Sequence, residues 1–176
     1  MYSKEENQRL KREFWVSFAN KYPRKWLLYN TKIKDFSFKF YVENTKAQVQ
    51  IDIESRNDIK RIQYFEKLES LKNILEEEFI SDLVFEKNFN LENGKTISRI
   101  WVEKLNVSVS NPKYWDEIFD FFNDKMNALE LFYLEYNDYI KLKNKKLTEK
   151  EEIDSLKSDI EEIKSALKII IEKINN

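Results

Sequence analysis

The spacing of apolar residues switches between steps of three or four and strict alternation, and each switch marks an element. Ser3-x-x-Glu6 has the form of a capping box, after which Leu10, Phe14 and Phe18 recur at every fourth position until Tyr22-Pro23 ends the pattern. This predicts a first helix. Beyond a loop containing RKWLLYN, Phe36, Phe38, Phe40 and Val42 alternate with polar residues, and so do Val49, Ile51 and Ile53. With Asn44-Thr45 as the turn, Phe40 faces Val49, Phe38 faces Ile51 and Phe36 faces Ile53, so one side of the hairpin is wholly apolar.

A second helix is expected from about Asn57 or Asp58 to near Ser81, with Ile59, Ile62, Phe65, Leu68, Leu71, Leu75 and Phe79 as its buried stripe. LVFEKNF and TISRIWVEKL then read as strands joined around Asn93-Gly94, which uses the only glycine in the chain. Asn111 caps a third helix with Pro112 at its first position, and Trp115, Phe119, Phe122, Met126, Leu129, Tyr133, Tyr136 and Ile140 step along its inner face. The order predicts an α+β fold, α-ββ-α-ββ-α, in which helices cover one face of a four-stranded antiparallel sheet. Its domain is expected over residues 1–143.

The last segment is different. A capping box at Thr148-x-x-Glu151 opens a helix over 148–176 whose apolar residues Ile153, Leu156, Ile160, Ile163, Leu167, Ile170 and Ile174 form an unbroken heptad seam, the pattern of a coiled coil. Such a row must be covered, either by the preceding helix folding back or by a second copy of the chain. The reading favours a homo-oligomer, because the preceding helix already uses its apolar face on the sheet.

Composition narrows the chemistry. The chain is 41% hydrophobic, 36% charged and nearly neutral at −1, so it supplies one core and shows no global attraction to nucleic acid or membrane. Neither cysteine nor histidine is present, which excludes thiol and imidazole nucleophiles and the common zinc sites. The charged start MYSKEENQRLKRE does not read as a signal peptide, and no apolar run is long enough for a bilayer; a cytoplasmic bacterial or phage protein is expected.

SKEENQRLKREFWVSF, the strands FSFKFYV and AQVQIDIE, YFEKLESLKNILEE, KTISRIWVE and YWDEIFDFFNDKMNALELF together resemble a bacterial family catalogued as domain of unknown function 4268, over residues of about 3–140. The resemblance implies an α+β domain, sometimes found beside restriction-endonuclease-like domains, and implies no catalytic residues. The heptad helix stands as an addition, and the loop YNTKIK lacks the glycine that the resemblance implies there.

Two candidate sites emerge from the residues. In VQIDIESR, Asp52, Glu54 and Arg56 recur at alternate positions, and the hairpin register sets Asp35 opposite Glu54, so three carboxylates could hold Mg²⁺ as in a divergent nuclease. Arg56 stands where such an enzyme needs lysine and cannot act as a base, and alternating polar residues are what the solvated face of any strand displays. That bland reading is preferred; no catalysis and no cofactor are expected. The second candidate is a phosphate-contacting surface of Arg12, Arg24, Lys25, Arg56, Lys60 and Arg61, with Trp26 and Tyr29 for base stacking. The leading expectation is a non-enzymatic binding or scaffolding protein that self-associates through the heptad helix and meets a protein partner in restriction or defence. Nucleic-acid binding or a Mg²⁺-dependent nuclease is the alternative.

Overall fold

The computed structural model of the chain describes residues 3–141 and, in the last segment, positions 157, 160, 161, 163–165, 167, 168 and 171. The chain divides into two compact units, residues 1–142 and 143–176. In the second unit the described residues are helical, and Ile160, Ile163 and Leu167 are exposed. Ile153, Leu156, Ile170 and Ile174 lie outside the described residues.

The first unit has the expected α+β order. Helix α1 (Lys4–Lys21) opens on the capping box: Ser3 Oγ accepts from the Glu6 N–H at 3.1 Å, and the Glu6 carboxylate accepts from the Ser3 N–H at 2.7 Å. Strands β1 (Phe36–Val42) and β2 (Lys46–Ile53) pair with Phe36 opposite Ile53, Phe38 opposite Ile51 and Phe40 opposite Val49, the register that alternation dictates. Strand β3 (Val84–Asn90) pairs with β4 (Thr96–Leu105), and β4 also pairs with β2, so the antiparallel sheet runs β1-β2-β4-β3 with β1 at one edge. In the β3–β4 connection Asn93 keeps negative φ and only Gly94 is left-handed (φ 81°). The Gly94 N–H donates to Leu91 O, a turn closed by a glycine, longer than the two-residue form.

The second helical stretch departs from one continuous element. Helix α2 (Asp58–Ser70), capped by Asn57, stops at Leu71, and a short α3 (Lys72–Ile74) leads into a π turn over Leu75–Phe79. Its inner face is Arg61, Tyr64, Phe65 and Leu68, which rotates Ile59 out to 71% exposure. The cause is Arg61. Its guanidinium donates to Lys87 O, to Ser98 Oγ at 2.7 Å and to Asn88 Oδ1 at 3.1 Å, saturating polar groups freed where β3 bulges between Glu86 and Phe89.

Helix α4 (Trp115–Ile140) follows a 3-10 turn at Pro112–Tyr114 and lies on the apolar face of the sheet. Phe119, Phe122, Met126, Leu129, Tyr133 and Ile140 are buried there as their spacing requires, joined by Ile118 and Phe132. Among the described residues no helix is long and apolar enough to cross a membrane.

Candidate functional site

The face of the sheet turned away from the helices carries the candidate acids, and it is drier than alternation suggests. Asp52 has no exposed surface, and Gln50 is buried beside it. The carboxylate of Asp52 accepts from Arg99 Nε and Nη2 at 2.7 Å each, a bidentate fork from the residue directly across the β2–β4 ladder. Lys39 Nζ, from β1, lies 2.9 Å from the same carboxylate and 3.1 Å from Glu54. Burial works against the charge of Lys39, but its contacts with Asp52 and then Glu54 outweigh it and hold the ammonium above its ordinary range. These long cations roof the acids.

The nuclease arrangement is therefore not assembled. Asp35 meets Glu54 only through the backbone, its carbonyl accepting the Glu54 N–H at 2.7 Å, while its own side chain is exposed. Among the described residues no group of three acids is placed to hold a metal ion. The expectation that Asp52 belongs to a solvated face is corrected as well: Arg99 and Lys39 bury it because a carboxylate flanked by two long cations is better satisfied by them than by partial hydration.

The concave surface lies at the opposite side of β1. Residues 22–35 connect α1 to β1 without helix or strand, a length at which loops in compact domains are usually functional. With the last turns of α1 and with β1, this loop encloses a cleft of about 550 Å³. Its walls are Trp15, Phe18, Tyr22, Trp26 and Phe40, with Tyr29 at the rim. Trp26 stacks on Phe18 (5.9 Å, 13°) and meets Phe40 edge-on at 5.3 Å, and Trp15 stacks on Phe122 (6.0 Å, 7°), so the walls are rigid. Trp15 remains 38% exposed and Tyr29 71%.

The loop is strained and tied down. Leu28 (φ 42°), Lys32 (63°) and Asp35 (62°) all occupy the left-handed region that glycine fills without penalty, at a cost of about 1–2 kcal/mol each. Lys32 lies within YNTKIK, the segment in which the resemblance implies a glycine. The conformation holds because buried polar anchors over-determine it. Glu130 of α4, buried among aromatic neighbours, accepts from the Leu27 N–H and from Arg24, whose guanidinium also lies over the Trp26 ring at 4.1 Å. Thr31 Oγ1 donates to Phe36 O at 2.8 Å, and the Tyr133 hydroxyl donates to Thr31 O. Burial pushes Tyr133 up to about 12, so it stays a neutral donor through the physiological range.

The proposed phosphate contacts separate into groups. Arg12 and Lys25 are exposed, one turn before Trp15 and beside Trp26 respectively. Arg24 lines the cleft but is engaged by Glu130. Arg56 and Lys60 flank the β2–α2 junction and line no part of the cleft; Arg61 is turned inward with its donors used, which removes it from any surface. Arg99 and Glu130 went unrecognised from the residues. The cross-strand position of Arg99 would have revealed it once β2 was paired with β4, whereas an acid inside an aromatic helix gives no sign of which way it faces.

A second hollow on the open sheet face, about 790 Å³, is lined by Tyr41, Gln48, Phe89, Arg99, Trp101 and Glu103 among others, with acids and bases in balance. Tyr41, Phe89 and Trp101 are its aromatic residues, with Arg99 lying over the Phe89 ring, and it lacks the strained loop that frames the first.

Fold and site together define a two-layer α+β domain: one antiparallel sheet, helices on one face, and an aromatic cleft at an edge strand. Residues 10–137 match the family described as Domain of unknown function (DUF4268), and the chain belongs to that family. The match contains the whole cleft and ends before the C-terminal heptad segment. No curated protein and no solved structure matches the chain.

Proposed function

We propose that the protein is a non-enzymatic binding domain whose ligand presents a planar ring to the aromatic cleft, and that copies of the domain are gathered by self-association through the heptad helix. One observation carries the first part: a strained, fourteen-residue loop is anchored by buried Glu130, Thr31 and Tyr133 so as to hold an aromatic cleft open. Strain of that kind persists where the surrounding structure enforces it, and it concentrates at ligand sites. The volume lies within the range of small-ligand pockets. The candidate catalytic acids, neutralised by Arg99 and Lys39, favour binding over chemistry. Restriction or defence, with a protein partner, is the setting proposed for the domain.

The cleft is tested with an anilinonaphthalene sulfonate dye, a ring bearing one negative charge. The expected result is saturable fluorescence enhancement with one dye per chain, lost in Ala19→Trp, which fills the mouth of the cleft from α1. No saturable site, or binding indifferent to Ala19→Trp, contradicts the reading.

Self-association is supported by the exposure of Ile160, Ile163 and Leu167 on their helix. Light scattering should give a mass above that of one 21.5 kDa chain, reduced to the monomer in Ile163→Lys with Leu167→Lys. A monomer in the unaltered protein at high micromolar concentration removes this part.

A further inference from the structure

The segment that builds the cleft is charged unlike the rest of the chain. Residues 11–39 carry eight lysines and arginines against two acids, Glu13 and Asp35, a local excess of +6 in a chain whose net charge is −1. Three of those cations are already engaged: Lys21 with Asp116 and Asp120, Arg24 with Glu130, Lys39 with Asp52 and Glu54. The other five, Lys11, Arg12, Lys25, Lys32 and Lys34, are exposed and make no ion pair among the described residues.

Their placement follows the cleft. Lys11 and Arg12 lie one helical turn before Trp15 on the same side of α1, Lys25 sits between the lining residues Arg24 and Trp26, and Lys32 and Lys34 lie on the strained loop leading into β1. Exposed ring surface lies among them: Tyr29 makes no ring contact of its own among the described residues, and Trp15, stacked on Phe122 and packed against Phe14, Phe18 and Phe40, remains 38% exposed. One unengaged ring, Tyr29, and the exposed part of a second, Trp15, inside a frame of unpaired cations suit a ligand with repeating flat rings and a repeating negative charge.

From this complementarity we infer that the cleft binds single-stranded nucleic acid, a base entering against Tyr29 and Trp15 while the flanking phosphates meet the five free cations. Duplex is disfavoured, since its bases are already stacked and cannot enter a cleft walled by Trp15, Phe18 and Trp26. Base-specific hydrogen bonding is not built in, because the walls are mainly aromatic and the lining polar groups of Tyr22, Arg24 and Lys39 already have acidic partners. Recognition is therefore tolerant of sequence and dependent on salt. This inference rests on the cleft being the ligand site. The dye measurement and the one below fail separately: dye binding without nucleic-acid binding overturns only the present inference.

The test uses the full chain and fluorescein-labelled twelve-nucleotide strands of thymidylate and of uridylate, a duplex of the same length, and thymidine monophosphate and oligoglutamate as competitors. Either single strand should bind at least about tenfold more tightly than duplex, with log K falling against log salt at a slope near about −3.5 for five phosphates. Tyr29→Ala should weaken binding about tenfold with an unchanged melting curve. Lys32→Glu with Lys34→Glu should reduce the slope by about one to one and a half. The inference is overturned by no binding at low salt, by equal affinity for duplex, by indifference to Tyr29→Ala, or by competition from the mononucleotide or oligoglutamate at equal charge concentration.

Discussion

Replacing Asp52 by Ala should lower the stability of the folded domain by about 3 kcal/mol, within the range measured when one partner of a buried ion pair is removed. Asp52 is fully buried, and its carboxylate neutralises both Arg99 and Lys39, which keep only 13% and 23% of their side-chain surface in water. Without it Arg99 loses its carboxylate partner, and Lys39 keeps only Glu54, with two cations close together and little hydration. A fall of about 10 °C in the midpoint of thermal unfolding is expected for a domain of this size. The cost belongs to the poorly compensated cations more than to the lost attraction, so Asp52→Leu combined with Lys39→Met and Arg99→Met should recover most of the loss. A single Asp52→Ala as stable as the unaltered protein would contradict the account of the open face. So would a triple variant no better than the single one.

The second large effect is at Glu130. Glu130→Ala removes the acceptor of the Leu27 N–H and the partner of Arg24, leaving a part-buried donor unsatisfied beside a loop that already carries left-handed residues. A loss of about 2–3 kcal/mol is expected from these contributions. The more informative result is functional: dye binding should disappear in Glu130→Ala at temperatures where the protein remains folded, because the loop relaxes and the cleft loses a wall. Glu130→Gln keeps an acceptor for Leu27 and should retain part of the binding. Lys32→Gly supplies the opposite control. It relieves a left-handed residue without touching an anchor, and should gain about 1 kcal/mol with the cleft intact. Full dye binding in Glu130→Ala would show that the anchor does not hold the site open.

Much of the fold was legible because alternation and helical spacing each admit one solution. Phe36, Phe38 and Phe40 could share a face with Ile53, Ile51 and Val49 in only one register, and α4 announces its inner face by the fourfold recurrence of large aromatics. The errors came where a tertiary partner overrides local pattern. Ile59 matches the apolar stripe of α2, yet the buried guanidinium of Arg61 turns the helix toward the β3 bulge and leaves Ile59 outside. The acids of VQIDIESR look wet because their cations, Lys39 and Arg99, come from neighbouring strands.

The site was legible only in its parts. Arg12, Arg24, Lys25, Trp26 and Tyr29 group as a charged and aromatic neighbourhood because they are close in sequence, and of these Arg24, Trp26 and Tyr29 line the cleft. Their assembly into a cleft depends on Leu28, Lys32 and Asp35 adopting positive φ, which non-glycine residues do not advertise. It depends equally on Glu130, a hundred residues away, turning inward to hold them. Arg56, Lys60 and Arg61 were grouped with that neighbourhood because they are basic; the fold leaves all three out of the cleft and buries Arg61.

The chain has four tryptophans, and they report separately on the two faces of the sheet. Trp15 and Trp26 line the cleft, Trp101 lies on the open face, and the Trp115 indole donates to Val109 O at 2.8 Å away from both. Titrating ¹⁵N-indole-labelled protein with the naphthalene sulfonate dye, and following the four indole N–H signals by NMR, locates the site directly. Saturable shifts at Trp15 and Trp26, with Trp101 and Trp115 unmoved, are the result the account requires. Shifts led by Trp101, or spread over all four signals without saturation, would contradict it.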